Sequence, residues 1–211
     1  MKVKICGIND IDSMKALSGL QPDYFGFIFY QKSPRFFSLS ALPELSDTKK
    51  VGVFVDADTD YIVRKKVDLG LDVIQLHGNE SSDYILKLKS ELQDSIEIFK
   101  AISISTEKDF EIISQYQELV DLFILDTKTP LKGGSGKQFD WDLLQHYPVE
   151  KPFLLSGGIG PDDAEAVLEI YKRHPLMAGV DINSKFEISP GLKSVKDVQN
   201  FLKTIKTKDH V

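Results

Sequence analysis

Residues 122–126, L-F-I-L-D, run into T-K-T-P-L-K-G-G-S-G-K at 127–137 and then F-D-W at 139–141. Four apolar residues are too few for a helix and suit a strand buried on both faces. The run stops on Asp126, so this carboxylate sits where a parallel strand hands over to its loop. In α/β proteins that edge is where ligands bind. The glycines beyond it let backbone approach closely. G-G-S-G-K is not a nucleotide-triphosphate loop, which needs a Gly with four residues between it and G-K, and Ser or Thr after it. Those positions hold Leu131 and Gln138. The stretch reads as a flap beside a site, with an ordinary surface turn as the alternative.

Working outward, the same strand-then-helix theme recurs. Strand-like runs lie at 3–6 (V-K-I-C), 25–29 (F-G-F-I-F), 51–55 (V-G-V-F-V), 73–77 (V-I-Q-L-H), 96–102 (I-E-I-F-K-A-I), 122–126, 153–157 (F-L-L-S-G) and 178–182 (A-G-V-D-I). Helical periodicity lies between them, as in Tyr61, Ile62, Lys65, Val67 and Leu69, or Tyr84, Ile85, Leu88 and Leu92. Start signals agree: Asp58 before 59–69, Ser81 before 82–93, Thr106 before 107–117, and Pro161 in the first turn before 162–172. Pro43 breaks the stretch after the second strand, which predicts a short or irregular second helix. Eight such units in 211 residues suit a single-domain (β/α)8 TIM barrel spanning 1–211, near the short end of its size range. A doubly wound open sheet permits the same alternation, but the count of eight favours the barrel. The polar tail at 203–211 is expected to fray.

Composition excludes several classes. A hydrophobic content of 42% with 27% charged residues is that of an ordinary globular protein. A net charge of −6 argues against a nucleic-acid partner. No stretch is long enough to span a membrane, and no signal-like apolar core follows M-K-V-K-I-C-G. One cysteine excludes an internal disulfide and fits a reducing, cytoplasmic setting.

In a barrel the site lies at the carboxyl ends of the strands. Those ends supply Cys6, Tyr30 to Arg35, His77, Asp126, Ser156-Gly157-Gly158 and Asp181 to Lys185, the last including Asn183 and Ser184. The groups after strands seven and eight are where barrels often hold a phosphate with backbone amides and a helix N-terminus. A lone strand cysteine is usually a small core residue. At the end of strand one, directly before Gly7, Cys6 can instead act as a nucleophile or base once partly ionised. Paired across the mouth with Asp126 it makes a base and an acid, which suits proton shuffling better than hydrolysis. Arg35 could clamp a carboxylate in bidentate fashion. Lys100, inside strand five, needs a buried partner or a ligand. The four histidines show no metal-ligand spacing, so no metal site is expected. His77 alone sits at a strand end, where it could meet substrate or bond within the rim.

The same residues carry a resemblance. K-I-C-G-I at 4–8, S-P-R at 33–35, G-V-F-V at 52–55, Q-L-H-G at 75–78, L-D-T at 125–127, G-G-S-G-K, F-D-W, L-S-G-G at 155–158 and V-D at 180–181 look like the phosphoribosylanthranilate isomerase family of tryptophan biosynthesis. The matches run in order across nearly the whole chain. The resemblance implies a (β/α)8 barrel, an Amadori rearrangement of a phosphorylated anthranilate substrate, no metal or organic cofactor, and a monomer or homodimer. It places the catalytic base at Cys6, the catalytic acid at Asp126 and the anthranilate-binding arginine at Arg35. Two positions depart from the family pattern. Lys185, in N-S-K-F-E, replaces a glycine after strand eight and could add charge to the phosphate, and Asn9 stands where threonine is usual. Cys6 argues against the related histidine-pathway isomerase, expected to use carboxylates for both roles. K-I-C-G does not match the lysine-rich set of indole-glycerol-phosphate synthase.

Overall fold

The computed structural model describes residues 1–43, 45, 47–92, 96–127 and 138–208. The eight expected runs form strands: β1 (Lys2–Cys6), β2 (Tyr24–Ile28), β3 (Lys49–Phe54), β4 (Val73–Leu76), β5 (Glu97–Ile104), β6 (Leu122–Thr127), β7 (Phe153–Leu155) and β8 (Met177–Ile182). They pair in parallel and in sequence order, and β8 returns to β1 to close the barrel. Closure leaves no free edge, and every strand is covered on both faces.

Alternation divides the core into two layers. On β1, Val3 and Ile5 face the helices and belong to the outer apolar cluster, while Cys6 belongs to an inner one with Tyr24, Val51, Val53, Phe99, Ile124 and Leu154. The same alternation turns Lys4 inward, where it has no exposed surface.

The helices are α1 (Ile11–Ser18), α2 (Thr59–Leu69), α3 (Ser82–Leu92), α4 (Ala164–Arg173) and α5 (Val195–Lys208). The helix expected from Thr106 is a 3₁₀ helix, Glu107–Gln115, opened by a capping box between Thr106 and Asp109. A shorter 3₁₀ helix, Trp141–His146, follows F-D-W. The irregularity expected after β2 goes further than a stunted helix: the described part of 29–48 has turns and no helix. Pro34 and Pro43 lack amide donors there, and Phe37 is buried against Phe27 and Phe29 instead.

Part of the tail expected to fray, from Lys203 to Lys208, is the last stretch of α5. Phe201, Leu202 and Ile205 are buried at helical spacing, and each such side chain contributes about 1.5–3 kcal/mol. The polar residues between them form the solvent face. Residues 209–211 lie outside the described residues.

Candidate active site

The inward-facing ends of the strands bring together most of the residues named from sequence. Asp126 ends the inner face of β6, and its Oδ1 accepts from the Thr127 amide at 2.8 Å. Its Oδ2 lies 3.3 Å from His77 Nε2, with both side chains partly exposed at the mouth. His77 Nδ1 lies 3.0 Å from the amide nitrogen of Gln75, a fully buried residue two positions earlier on the same face. His77 therefore joins the site through Asp126. A cleft of about 400 Å³ opens beside this pair, lined by Lys100, Ser103, Lys108 and Thr127 among others.

Cys6 is buried at the end of β1, opposite Gly26 in the β1–β2 register. Burial pushes its thiol above the ordinary value, Lys4 pulls it back, and Asp181 pushes it up again. Asp181, on the inner face of β8, accepts from Lys4 Nζ at 2.9 Å inside the barrel. Burial lifts the Asp181 carboxyl above the ordinary range against the pull of Lys4, and the Asp126 charge adds to the lift. Ser156 Oγ, at the end of β7, lies 3.4 Å from Asp181 Oδ2. Asp181 thus stands between the thiol side and the Asp126 side of the mouth.

The turns after β7 and β8 adjoin each other. Gly157 and Gly158 both have left-handed φ, +88° and +70°. A side chain on Gly157 would meet Thr127 and come within 2.8 Å of Asp126 Oδ1, so this glycine lets the β7 turn press against the acid candidate. Gly160 follows, and a Cβ there would lie 3.1 Å from Lys185 Cδ, which places the β8-loop lysine beside the β7 turn. Ser184 opens a 3₁₀ turn, Ser184–Phe186, and Lys185 lies within it.

A hairpin of β9 (Glu187–Ser189) and β10 (Leu192–Lys193) then folds against the first two loops. Asn9 contributes here: its amide donates to Gly191 O in the hairpin. Asn183 faces Lys193, whose buried Nζ donates to Asn183 Oδ1 and to Glu187 Oε1, both at 2.8 Å. Burial pulls the Lys193 ammonium below its usual value, against the nearby Glu187 carboxylate.

Arg35 is not a free surface arginine. Its Nε and Nη2 grip Glu187 at 2.7–3.0 Å. The expected carboxylate clamp therefore already holds an internal carboxylate by one edge. Lys100 finds the buried partner that its position demands: Nζ lies 3.0 Å from Glu80 Oε2 and 2.9 Å from Gly78 O, on the helix side of β5. The expected flap at 128–137 lies outside the described residues.

Sequence reading missed Lys4, Glu187 and Lys193. For Lys4 a signal existed, since a lysine two residues before Cys6 in a strand must share its face. For Lys193 and Glu187 the signal is tertiary.

A closed parallel barrel with its ionisable groups gathered at the carboxyl ends of the strands defines a (β/α)8-barrel enzyme. A family model described as N-(5'phosphoribosyl)anthranilate (PRA) isomerase matches residues 3–204. The chain is 41% identical to the N-(5'-phosphoribosyl)anthranilate isomerase of Parabacteroides distasonis, over 97% of this chain and 93% of that one. It is 37% identical to that of Phocaeicola vulgatus, over 99% of both. Among solved structures, the phosphoribosyl anthranilate isomerase of Thermotoga maritima aligns with a TM-score of 0.81 at 31% identity, over 98% of this chain and 99% of that one. A complex of such an isomerase with reduced 1-(o-carboxyphenylamino)-1-deoxyribulose 5-phosphate aligns at 0.80 and 29%, with the same coverage. The chain belongs to the N-(5'-phosphoribosyl)anthranilate isomerase family, enzymes of the isomerase class that serve tryptophan biosynthesis.

Proposed function

We propose that this chain converts N-(5'-phosphoribosyl)anthranilate to 1-(2-carboxyphenylamino)-1-deoxyribulose 5-phosphate, with Asp126 as general acid and Cys6 as general base. The observation that carries the assignment of roles is the shared inner face: Cys6 and Asp126 end different strands of one barrel mouth, with Asp181 between them. Protonated Asp126 donates to the furanose ring oxygen, and the C1′–O bond breaks to give an iminium. The iminium acidifies the neighbouring C–H, so the Cys6 thiolate removes the C2′ proton and an enolamine forms. The enolamine gains a proton at C1′ and loses the one on O2′, which yields the ketone. Asp126 ends as carboxylate and Cys6 as thiol, and exchange with solvent resets both. Each acid–base contact supplies about 10²–10⁴-fold.

The phosphate is assigned to the amides at Gly157 and Gly158, to the Asn183–Ser184 turn, and to the Lys185 charge beside them. The anthranilate carboxylate is assigned to the part of the Arg35 guanidinium that Glu187 leaves free, and His77 to the ribosyl hydroxyls near Asp126. These cations supply the local positive potential that an anionic ligand needs on a chain of net charge −6.

The test is turnover of phosphoribosylanthranilate, followed by its arylamine fluorescence. Asp126→Asn and Cys6→Ser are each expected to fold, to bind product analogue, and to lose turnover by about 10²-fold or more. Near-wild-type turnover in either variant removes that residue from its role.

A further inference from the structure

We infer that Lys4 is the counter-charge for the Cys6 thiolate, a positioning residue set beneath the reacting thiol inside the barrel. The inference rests on the proposed role of Cys6 as base and deepens it.

Lys4 and Cys6 are two apart on β1, so both point into the barrel, and they are 0% and 4% exposed. Gly26, the β2 partner of Cys6 in register, has no side chain where the two meet. A Cβ on Gly26 would lie 2.7 Å from Cys6 Sγ and 3.1 Å from Lys4 Nζ. Thiol and ammonium therefore both press on the position that a Gly26 side chain would take, which only a glycine leaves to them. Lys4 Nζ spends one donor on Asp181 Oδ1 at 2.9 Å, and an ammonium has three.

A thiolate formed in this interior is desolvated and needs a compensating charge close by. The charged groups that bear on it from the surrounding elements are Lys4 on β1, Asp181 on β8 and Lys193 on β10, while the Tyr24 hydroxyl on β2 is turned to Lys2. The Arg35–Glu187 pair lies beside Gly7, the residue after Cys6, since a Cβ there would come within 2.8 Å of Arg35 Cδ, and Asp126 and His77 bear on Asp181. Of these, Lys4 opposes the burial of the thiol most strongly, and Lys193 acts more weakly from the hairpin. The effect is mutual. Burial works against the Lys4 ammonium, yet Asp181 and Cys6 together hold it above its ordinary value. Lys4 thus stays charged where a lone buried lysine would give up its proton.

Because Cys6 is the sole cysteine, its chemistry can be read without turnover. The full-length protein is alkylated with iodoacetamide across a pH series, and the midpoint of the rate is taken for each variant. Lys4→Met is expected to move the midpoint upward, slowing alkylation about tenfold or more at a fixed pH below it. Lys4→Arg, which keeps the charge, is expected to stay near wild type. Asp181→Asn removes an opposing negative charge and is expected to move the midpoint downward. A structural disturbance alone would not give opposite signs. If Lys4→Met does not fold, the pair Lys4→Met/Asp181→Asn serves instead, its midpoint expected above that of Asp181→Asn alone. An unchanged midpoint in Lys4→Met, or a shift of the same sign for Lys4→Met and Asp181→Asn, overturns the inference. Neither result touches the base assignment, which fails separately if Cys6→Ser retains full turnover.

Discussion

Gly157→Ala is the substitution that most directly joins fold to chemistry. The residue sits at φ +88°, and a methyl there would lie 2.5 Å from the Thr127 amide nitrogen and 2.8 Å from Asp126 Oδ1. Forcing an alanine into left-handed backbone costs about 1–2 kcal/mol, and crowding a packed strand end costs about 1–3 kcal/mol more. A loss of about 3 kcal/mol lowers the melting temperature of a chain this size by about 6–12 °C. The atoms in the way belong to β6 itself, so the strain is relieved by displacing the acid candidate. A shift of about 1 Å at a reacting group reduces turnover by about 10²-fold. Gly70→Ala is the control. Gly70 also has positive φ, but it terminates α2 away from the mouth, where a methyl would meet only the flexible end of Lys50 at 3.1 Å. That variant should lose about 1 kcal/mol and keep its turnover. Calorimetry and steady-state assays on both decide the matter. If Gly157→Ala melts lower but turns over like wild type, the link from the β7 turn to Asp126 is refuted.

Two other perturbations follow from the described contacts. Lys100→Met breaks a buried pair with Glu80 and should destabilise by about 3 kcal/mol in urea titration. Adding Glu80→Gln should recover part of the loss, and a single variant as stable as wild type would show that the pair contributes nothing. Asp10 caps α1 by accepting from the Ser13 amide at 2.7 Å, and that bond lowers its carboxyl below the ordinary value. A carboxyl depressed by folding stabilises fully above its unfolded value of about 3.9 and less as pH falls through the folded one. Asp10→Ala should therefore cost about 1 kcal/mol at neutral pH, and its difference from wild type should shrink in acid, as read from urea midpoints at two pH values.

The barrel was legible because its strands are short apolar runs bounded by turn residues, and that signal is local. L-F-I-L-D stops on Asp126, and the strand ends one residue later at Thr127. The helices were less so. Glu107–Gln115 carries helical periodicity but winds as 3₁₀, a distinction of hydrogen-bond spacing that apolar periodicity does not encode. The helical character of the α5 tail was hard to read because its buried positions, Phe201, Leu202 and Ile205, are followed by lysines and threonines. At the mouth, residue positions could be read and their partners could not. Arg35 and Glu187 are 152 residues apart, and only closure of the barrel sets them side by side. Lys4 shares the inward face of Cys6 by plain alternation, but its partner Asp181 lies 177 residues away.

The grip of Glu187 on Arg35 has a thermodynamic consequence for recognition. A long guanidinium side chain free in solvent surrenders its rotamers when a ligand arrives, at about 0.5–1.5 kcal/mol. Here that entropy is lost during folding, because the Nε–Nη2 edge is bound and Glu187 is itself fixed by Lys193 and the Gly191 amide. Nη1 stands outside the pair. If Arg35 receives the substrate carboxylate as proposed, its ordering is complete before the anion arrives, and affinity there reflects the charge and shape of the ligand and not the effort of ordering the side chain.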